Sequence, residues 1–284
     1  MITELTIIIP TWNSMPEFER CLNSIPKAFP EGTVKEIIVV DKHSTDNTVE
    51  CAKKHGCTIL YDDISLGSAR LKGLHHAKTD WIAFIDSDIE LPEGWFENMH
   101  LLYLFHNSLP PSNKIGWIYG RTIDDREPIK SEKLWKMQRE LGTNGYRLLK
   151  EGDRAYTNNT LCLREPLLNS KIEHLNAWED YVLTQDMLKA GYNIVEVPVT
   201  CTHLRSHTYN KFGIMTEAWG IAGEIKAKGW NIRTILRPFW FLYWGTRCTL
   251  HFKELIHFKF NLNIFISMIK AMFINRKEAF EWKR

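Results

Sequence analysis

From Leu5 to Leu91 the chain alternates between short β-branched runs and spans with helical apolar spacing. Leu5–Pro10 reads as a buried strand stopped by proline, and Met15–Phe29 carries Phe18, Leu22 and Ile25 on one helical face. Glu36–Asp41 is a second strand that ends in an acid, and Thr48–His55 opens the next helix. Thr58–Tyr61 is a third strand, Gly67–Ala77 a third helix, and the run Trp81–Ile85 has the composition of a strand buried on both faces. Strand and helix in strict alternation imply βαβ units with right-handed crossovers. The expectation is an α/β fold with a Rossmann-like, mixed but mostly parallel sheet flanked by helices. Ligands of such sheets bind at the carboxyl ends of the strands.

The strand Trp81–Ile85 ends in two carboxylates, Asp86 and Asp88, before Pro92 stops it. Paired carboxylates at a buried strand end repel each other and cost desolvation, so a cation is expected between them. A divalent ion such as Mg²⁺ takes one or two protein carboxylates and fills its other positions with water and a substrate diphosphate. The other reading is a polar exit in which Asp86-Ser87-Asp88 makes only turn hydrogen bonds. Three polar strand ends, after Pro10, at Asp41 and at Asp86, would share one rim.

The whole chain sets outer limits. At 284 residues, with 44% hydrophobic and 25% charged residues, it can bury a sizeable core. A net charge of +2 excludes a strong global field for nucleic acid. The six cysteines show no zinc spacing or C-x-x-C pair, which fits reduced thiols in the cytosol. The N-terminus runs straight into a strand with no visible signal peptide, and no uncharged apolar run approaches the roughly 18 residues of a membrane span.

Four blocks together carry a resemblance. They are Ile7-Ile8-Ile9-Pro10-Thr11-Trp12-Asn13; Asp41-x-x-Ser44-Thr45-Asp46-x-Thr48; Gly67-x-Ala69-Arg70-x-x-Gly73 with Asp86-x-Asp88; and Trp178-Glu179-Asp180 through Gly191. In this order the chain resembles the family 2 glycosyltransferases of the GT-A fold over roughly residues 4 to 210. It departs from the family pattern at Asp41-Lys42, where Asp-Asp is usual, and at Ala69-Arg70-Leu71, where Ala-Arg-Asn is usual. Both departures touch the nucleotide pocket.

The resemblance implies a metal-dependent inverting transferase using Mn²⁺ or Mg²⁺. The donor would be a GDP- or UDP-sugar, and the acceptor a saccharide or a lipid-linked molecule. Pro10, Thr11, Asn13, Asp41, Arg70, Asp86 and Ser87 would bind the nucleotide sugar, with Asp41 accepting from the base or, alternatively, making a turn. Arg70 could pair with the diphosphate or with Asp86. Asp88 would hold the metal directly, helped by His203 and less strongly by His207. Asp180 would be the general base with Glu179 beside it, although both also suit a helix N-terminus. Trp178 could stack on an acceptor sugar or sit in the core, and Asn158, Asn159 and Thr160 could line the sugar pocket. Two alternatives stay open: a sugar-phosphate nucleotidyltransferase, and a sugar-nucleotide-binding protein with a dead site.

The span Thr122–Ala155 is charged and includes a Lys/Glu-rich helix over Ser131–Glu140. Val195–His203 reads as an edge-type strand. A catalytic domain over 1–211 is expected to be followed by a helical region over 212–284. There, Arg237–Trp244 and Phe258–Phe273 interleave aromatics with an excess of Lys and Arg, as interfacial helices do. The expected place is the cytoplasmic face of a membrane, as a peripheral protein making single sugar additions. Packing on the core or on a second copy, a homo-oligomer, is the other possibility.

Overall fold

The computed structural model describes residues 1–108, 114–125, 146–204 and 209–273, with side chains omitted over 209–216. Two compact units emerge, one from Met1–Asp125 with residues 146–204, the other from residues 209–273. The expected helix Ser131–Glu140 and His207 lie outside the described residues.

In the first unit, β1 (Leu5–Thr11), β2 (Val34–Asp41), β3 (Thr58–Tyr61) and β4 (Trp81–Ile85) are joined by α1 (Glu17–Ala28), α2 (Thr48–Lys54) and α3 (Leu66–His76). All pairings among these four strands are parallel. After β4 come β5 (Ile89–Glu90), α4 (Trp95–Asn107), β6 (Ile115–Asp124), β7 (Arg147–Leu148) and β8 (Asn159–Leu163). A 3₁₀ turn (Glu165–Leu167), α5 (Glu179–Lys189) and β9 (Asn193–His203) complete the unit. The strand order is β3-β2-β1-β4-β8-β6-β9-β5, with β7 also on β9. The fold is mixed α/β, a largely parallel sheet flanked by helices, as the alternation predicts.

Side chains alternate across the sheet with the period of two that a strand imposes. Ile7, Ile9 and Ala83 pack with Phe18 and Leu22 of α1 and Trp95 and Met99 of α4. Ile8, Ile82 and Phe84 pack with Leu74 of α3 and Leu183 and Met187 of α5. Every β1–β4 side chain from Ile7 to Ile9 and from Ile82 to Ile85 is fully buried, which is why these runs read as continuously apolar.

The strand β9 corrects one expectation. It is not an edge over its length: β6 lies on one side, and the two-residue strands β5 and β7 occupy the other. Its proline is accommodated by an irregularity. Tyr119 and Arg121 of β6 pair with Glu196 and Thr200, so β9 contributes extra residues around Pro198, where no ladder donor is available.

In the second unit, α6 (Tyr209–Lys228), α7 (Ile232–Phe252) and α8 (Ile256–Phe273) form a helical layer around Ile221, Ile225, Phe260, Ile264 and Met268. Asn231 caps α7 by accepting from the Thr234 amide, at 3.0 Å. Arg237 bridges Glu217 at 2.7 Å and Glu224 at 2.9 Å. No described helix is long and apolar enough to cross a membrane.

Candidate active site

The carboxyl ends of β1, β2 and β4 meet the start of β8 and the ends of β6 and β9 along one rim. Most of the residues singled out from the sequence stand there.

At the β1/β2 end, Asp41 has no exposed surface. Its Oδ2 accepts from the Thr11 hydroxyl at 2.8 Å and the Ser44 hydroxyl at 2.6 Å, and its Oδ1 accepts from the Ser44 amide at 2.7 Å. The loop after β1 is laced to the loop after β2. Asn13 donates its amide to Ser44 Oγ at 2.8 Å and accepts from the Thr45 amide at 2.7 Å. Asn13 and His43 both adopt positive φ, 47° and 51°, which Asn and His tolerate better than most residues. Pro10 lies beside Val40, one residue before the parallel pairing ends at Thr11 and Asp41. In this arrangement Asp41 shapes the rim from beneath, and the exposed edges belong to Pro10, Trp12 and Asn13.

Ser87 donates to Ser14 Oγ at 3.0 Å, fastening the β4 exit to the β1 loop. Asp86 pairs with Arg70, whose Nη2 lies 2.7 Å from Asp86 Oδ1. Arg70 comes from the second turn of α3 and is fully buried, with its guanidinium over the Phe84 ring. Its Nε reaches Glu179 Oε1 at 3.3 Å. One cation therefore ties the β4 exit to the start of α5. Its Nη1 is buried and has no hydrogen-bond partner among the described residues.

Asp88 meets His203: Nε2 stands 3.0 Å from Asp88 Oδ2, and the Leu204 amide donates to the Asp88 carbonyl at 2.8 Å. The short ladder between β5 and β9, with Ile89 opposite His203, sets this pairing. On its other side His203 Nδ1 lies 3.9 Å from Asp124 Oδ1 at the end of β6. A carboxylate oxygen suits Mn²⁺ or Mg²⁺, and the imidazole favours Mn²⁺ of the two. No described group of three or more His, Cys, Asp or Glu could hold a metal alone. A carboxylate–imidazole pair that leaves positions for a diphosphate and water fits the chemistry of such an ion.

Glu179 and Asp180 open α5 directly after Trp178, whose φ of 68° is sterically costly for a non-glycine residue. Both carboxylates are buried. Burial, followed by repulsion from Asp180, raises the Glu179 pKa to about 7, while Arg70 and Arg154 pull it down. Asp180 Oδ1 accepts from Arg154 Nε at 2.7 Å and from the Tyr181 amide at 2.8 Å. Oδ2 accepts no hydrogen bond among the described residues.

Two of the three expected pocket residues are placed differently. Asn159 is fully buried: its side chain accepts from Trp95 Nε1 at 2.7 Å and donates to the Arg121 carbonyl at 3.0 Å. Thr160 accepts from Trp117 Nε1 at 2.6 Å inside the sheet. Of the three, Asn158 reaches the rim, and its carbonyl accepts from the Asp86 amide at 3.4 Å. Gly120 beside them has no room for a side chain, since a Cβ would run into the Val199 carbonyl and Asn159.

Arg154 and Asp124 were not anticipated. Neither belongs to a block with recognisable spacing. Asp124 is marked only by its position at the end of a strand, and Arg154 sits in a loop whose path depends on α5.

The family model "Glycosyl transferase family 2" matches residues 6–163, more than half of the chain. The chain belongs to this family of glycosyltransferases. It is similar to the uncharacterized glycosyltransferase YibD of Escherichia coli (strain K12), 26% identical over 46% of this chain and 39% of that protein. It is also similar to the poly(ribitol-phosphate) beta-N-acetylglucosaminyltransferase TarP of Staphylococcus aureus (strain N315), 28% identical over 34% of this chain and 32% of that one. The likeness thus spans between 32% and 39% of these relatives' own length. Among solved structures, glucosyl-3-phosphoglycerate synthase from Mycobacterium tuberculosis has a similar fold, with a TM-score of 0.54, 21% identity and 81% of each chain covered. That enzyme has been solved with Mn²⁺, UDP and glucosyl-3-phosphoglycerate, and with Mg²⁺ and UDP.

Proposed function

We propose that this chain transfers a sugar, with inversion, from a nucleotide diphosphate sugar to a hydroxyl of a saccharide or lipid-linked acceptor. The observation that carries the reading is the single rim on which Asp88–His203, Arg70–Asp86 and Glu179–Asp180 converge. Donor chemistry needs a cation at the leaving diphosphate, and acceptor chemistry needs a base on the opposite side of the sugar. The rim offers a carboxylate–imidazole pair for the first and a half-open carboxylate for the second. A UDP-sugar is favoured over a GDP-sugar, because fold neighbours are solved with UDP.

Asp88 and His203 would hold Mn²⁺ or Mg²⁺, which when bound supplies Lewis-acid stabilisation of the departing diphosphate. Pro10, Thr11, Asn13 and Ser87 would receive base and ribose, with Asp41 bracing their loops. Arg70 keeps Asp86 oriented toward that end while fixing Glu179. Asp180 Oδ2 would take the acceptor's proton as its oxygen attacks the anomeric carbon. Asp180 Oδ1, held by Arg154 and the Tyr181 amide, keeps the carboxylate aimed.

The test is product formation from UDP-sugars with a panel of saccharide and lipid-linked acceptors. Asp180→Asn should lose transfer while keeping metal-dependent UDP binding. Equal transfer by Asp180→Asn would remove Asp180 from its role. Nucleotide binding without transfer or donor hydrolysis, under any acceptor, would favour a sugar-nucleotide-binding protein.

A contact with the membrane surface accompanies this reading. Along α7, Ile232, Leu236, Phe239, Tyr243 and Leu250 are exposed at helical spacing, with Arg233 and Arg247 also exposed. An apolar stripe flanked by arginines suits a lipid headgroup boundary. The proposed place is therefore the cytoplasmic face of a membrane.

A further inference from the structure

Arg154 uses only part of its guanidinium within the protein. Its Nε donates to Asp180 Oδ1, whereas Nη1 and Nη2 donate to no described residue. About a third of the side chain is exposed, at 32%. Its Cζ lies 4.8 Å from the centre of the Trp178 ring and 5.5 Å from that of the Tyr156 ring. The loop that carries it is fastened to α5. The Gly152 amide donates to Gln185 Oε1 at 2.9 Å, Gln185 Nε2 donates to the Asp153 carbonyl at 2.8 Å, and the Ala155 amide donates to Thr184 Oγ1 at 3.0 Å. The arginine is thus a fixed fork with two open NH₂ groups beside the proposed base.

A planar fork of this kind matches a carboxylate or phosphate bidentately, and stacking on aromatic rings lowers the entropy lost on binding. We infer that Arg154 receives an anionic group of the acceptor, a phosphate or a carboxylate, and so sets its hydroxyl beside Asp180 Oδ2. The inference rests on the transferase reading and narrows its acceptor to acidic molecules. An incoming anion at Arg154 takes the Nη1 and Nη2 hydrogens, which Asp180 does not use.

Matched pairs of small probes test this: glycerol 3-phosphate against glycerol, and glucuronate against glucose. Each is titrated calorimetrically into the full chain, with and without UDP and Mg²⁺. The acidic member should bind at least tenfold more tightly than its neutral partner. Arg154→Gln should abolish that preference with UDP binding intact, and Arg154→Lys should retain part of it, since a point charge cannot reproduce the fork. No acid preference in the native chain, or a preference unchanged in Arg154→Gln, would overturn the assignment. Failure of UDP to bind would instead count against the transferase reading, because the probe titrations without nucleotide still report on Arg154.

Discussion

Arg70 and Asp86 form a 2.7 Å ion pair in which the arginine is fully buried and the aspartate is one-third exposed. The same guanidinium holds buried Glu179 at 3.3 Å. A buried cation between two carboxylates cannot be removed without leaving uncompensated charge. Arg70→Ala should therefore destabilise the fold by about 3–5 kcal/mol. Arg70→Lys should recover only part of this, because an ammonium lacks the fork that reaches two partners. Urea denaturation measures both, and a loss below about 1 kcal/mol for Arg70→Ala would contradict the assignment of a structural clamp.

Glu179 makes stability depend on pH. Its folded pKa, about 7, lies above the ordinary 4.5, because burial and then the Asp180 charge disfavour ionisation. The stabilisation from this protonated group is complete below pH 4.5 and is lost as pH rises through about 7. Glu179→Gln should remove that component, so its stability relative to the native chain should rise across this interval. Denaturation midpoints at both ends of the interval give the comparison, and parallel pH curves for the two proteins would refute the shift.

Asn159 is predicted to matter through the sheet, and substrate contact plays no part. Asn159→Ala removes the oxygen acceptor of the buried Trp95 Nε1 and one donor to the Arg121 carbonyl. The cost should be roughly 1–3 kcal/mol of stability, chiefly from the lost buried acceptor. Donor and acceptor affinities of the folded fraction should stay unchanged. A large change in KM with stability intact would place Asn159 in the pocket after all.

The exposed stripe on α7 gives a separate prediction. The chain should cosediment with vesicles containing phosphatidylglycerol, and Phe239→Glu should reduce binding on the order of tenfold or more. Loss of a dimer in Phe239→Glu, with no vesicle binding by either protein, would assign the stripe to a second copy.

Much of this architecture was legible because local and tertiary signals agree. Ile7–Ile9 and Trp81–Ile85 are buried on both faces, so their apolar runs carry no ambiguity about the strand. Asp86 and Asp88 were recognisable because they follow an apolar run at a strand end, whereas Asp180 was assigned through the family resemblance. His203 could be matched to Asp88 only by a resemblance, since the two stand 115 positions apart and meet through the β5–β9 ladder. Asn159 and Thr160 looked like pocket residues because polar side chains at a strand start usually face solvent. Here two tryptophan N–H groups, from Trp95 and Trp117, draw them inward. Arg154 left no periodic signature, because its place depends on hydrogen bonds from a loop to α5 that no spacing reveals.

The central claim is that Asp88 and His203 hold a divalent ion against a nucleotide diphosphate. The measurement is the melting temperature of the native chain and of Asp88→Ala with UDP, with Mn²⁺ and with both. The native chain should show a stabilisation by UDP that requires Mn²⁺, as expected when a ligand binds only the folded state, and Asp88→Ala should lose it. A shift of equal size in Asp88→Ala, or no shift with UDP and Mn²⁺ in the native chain, would contradict the account.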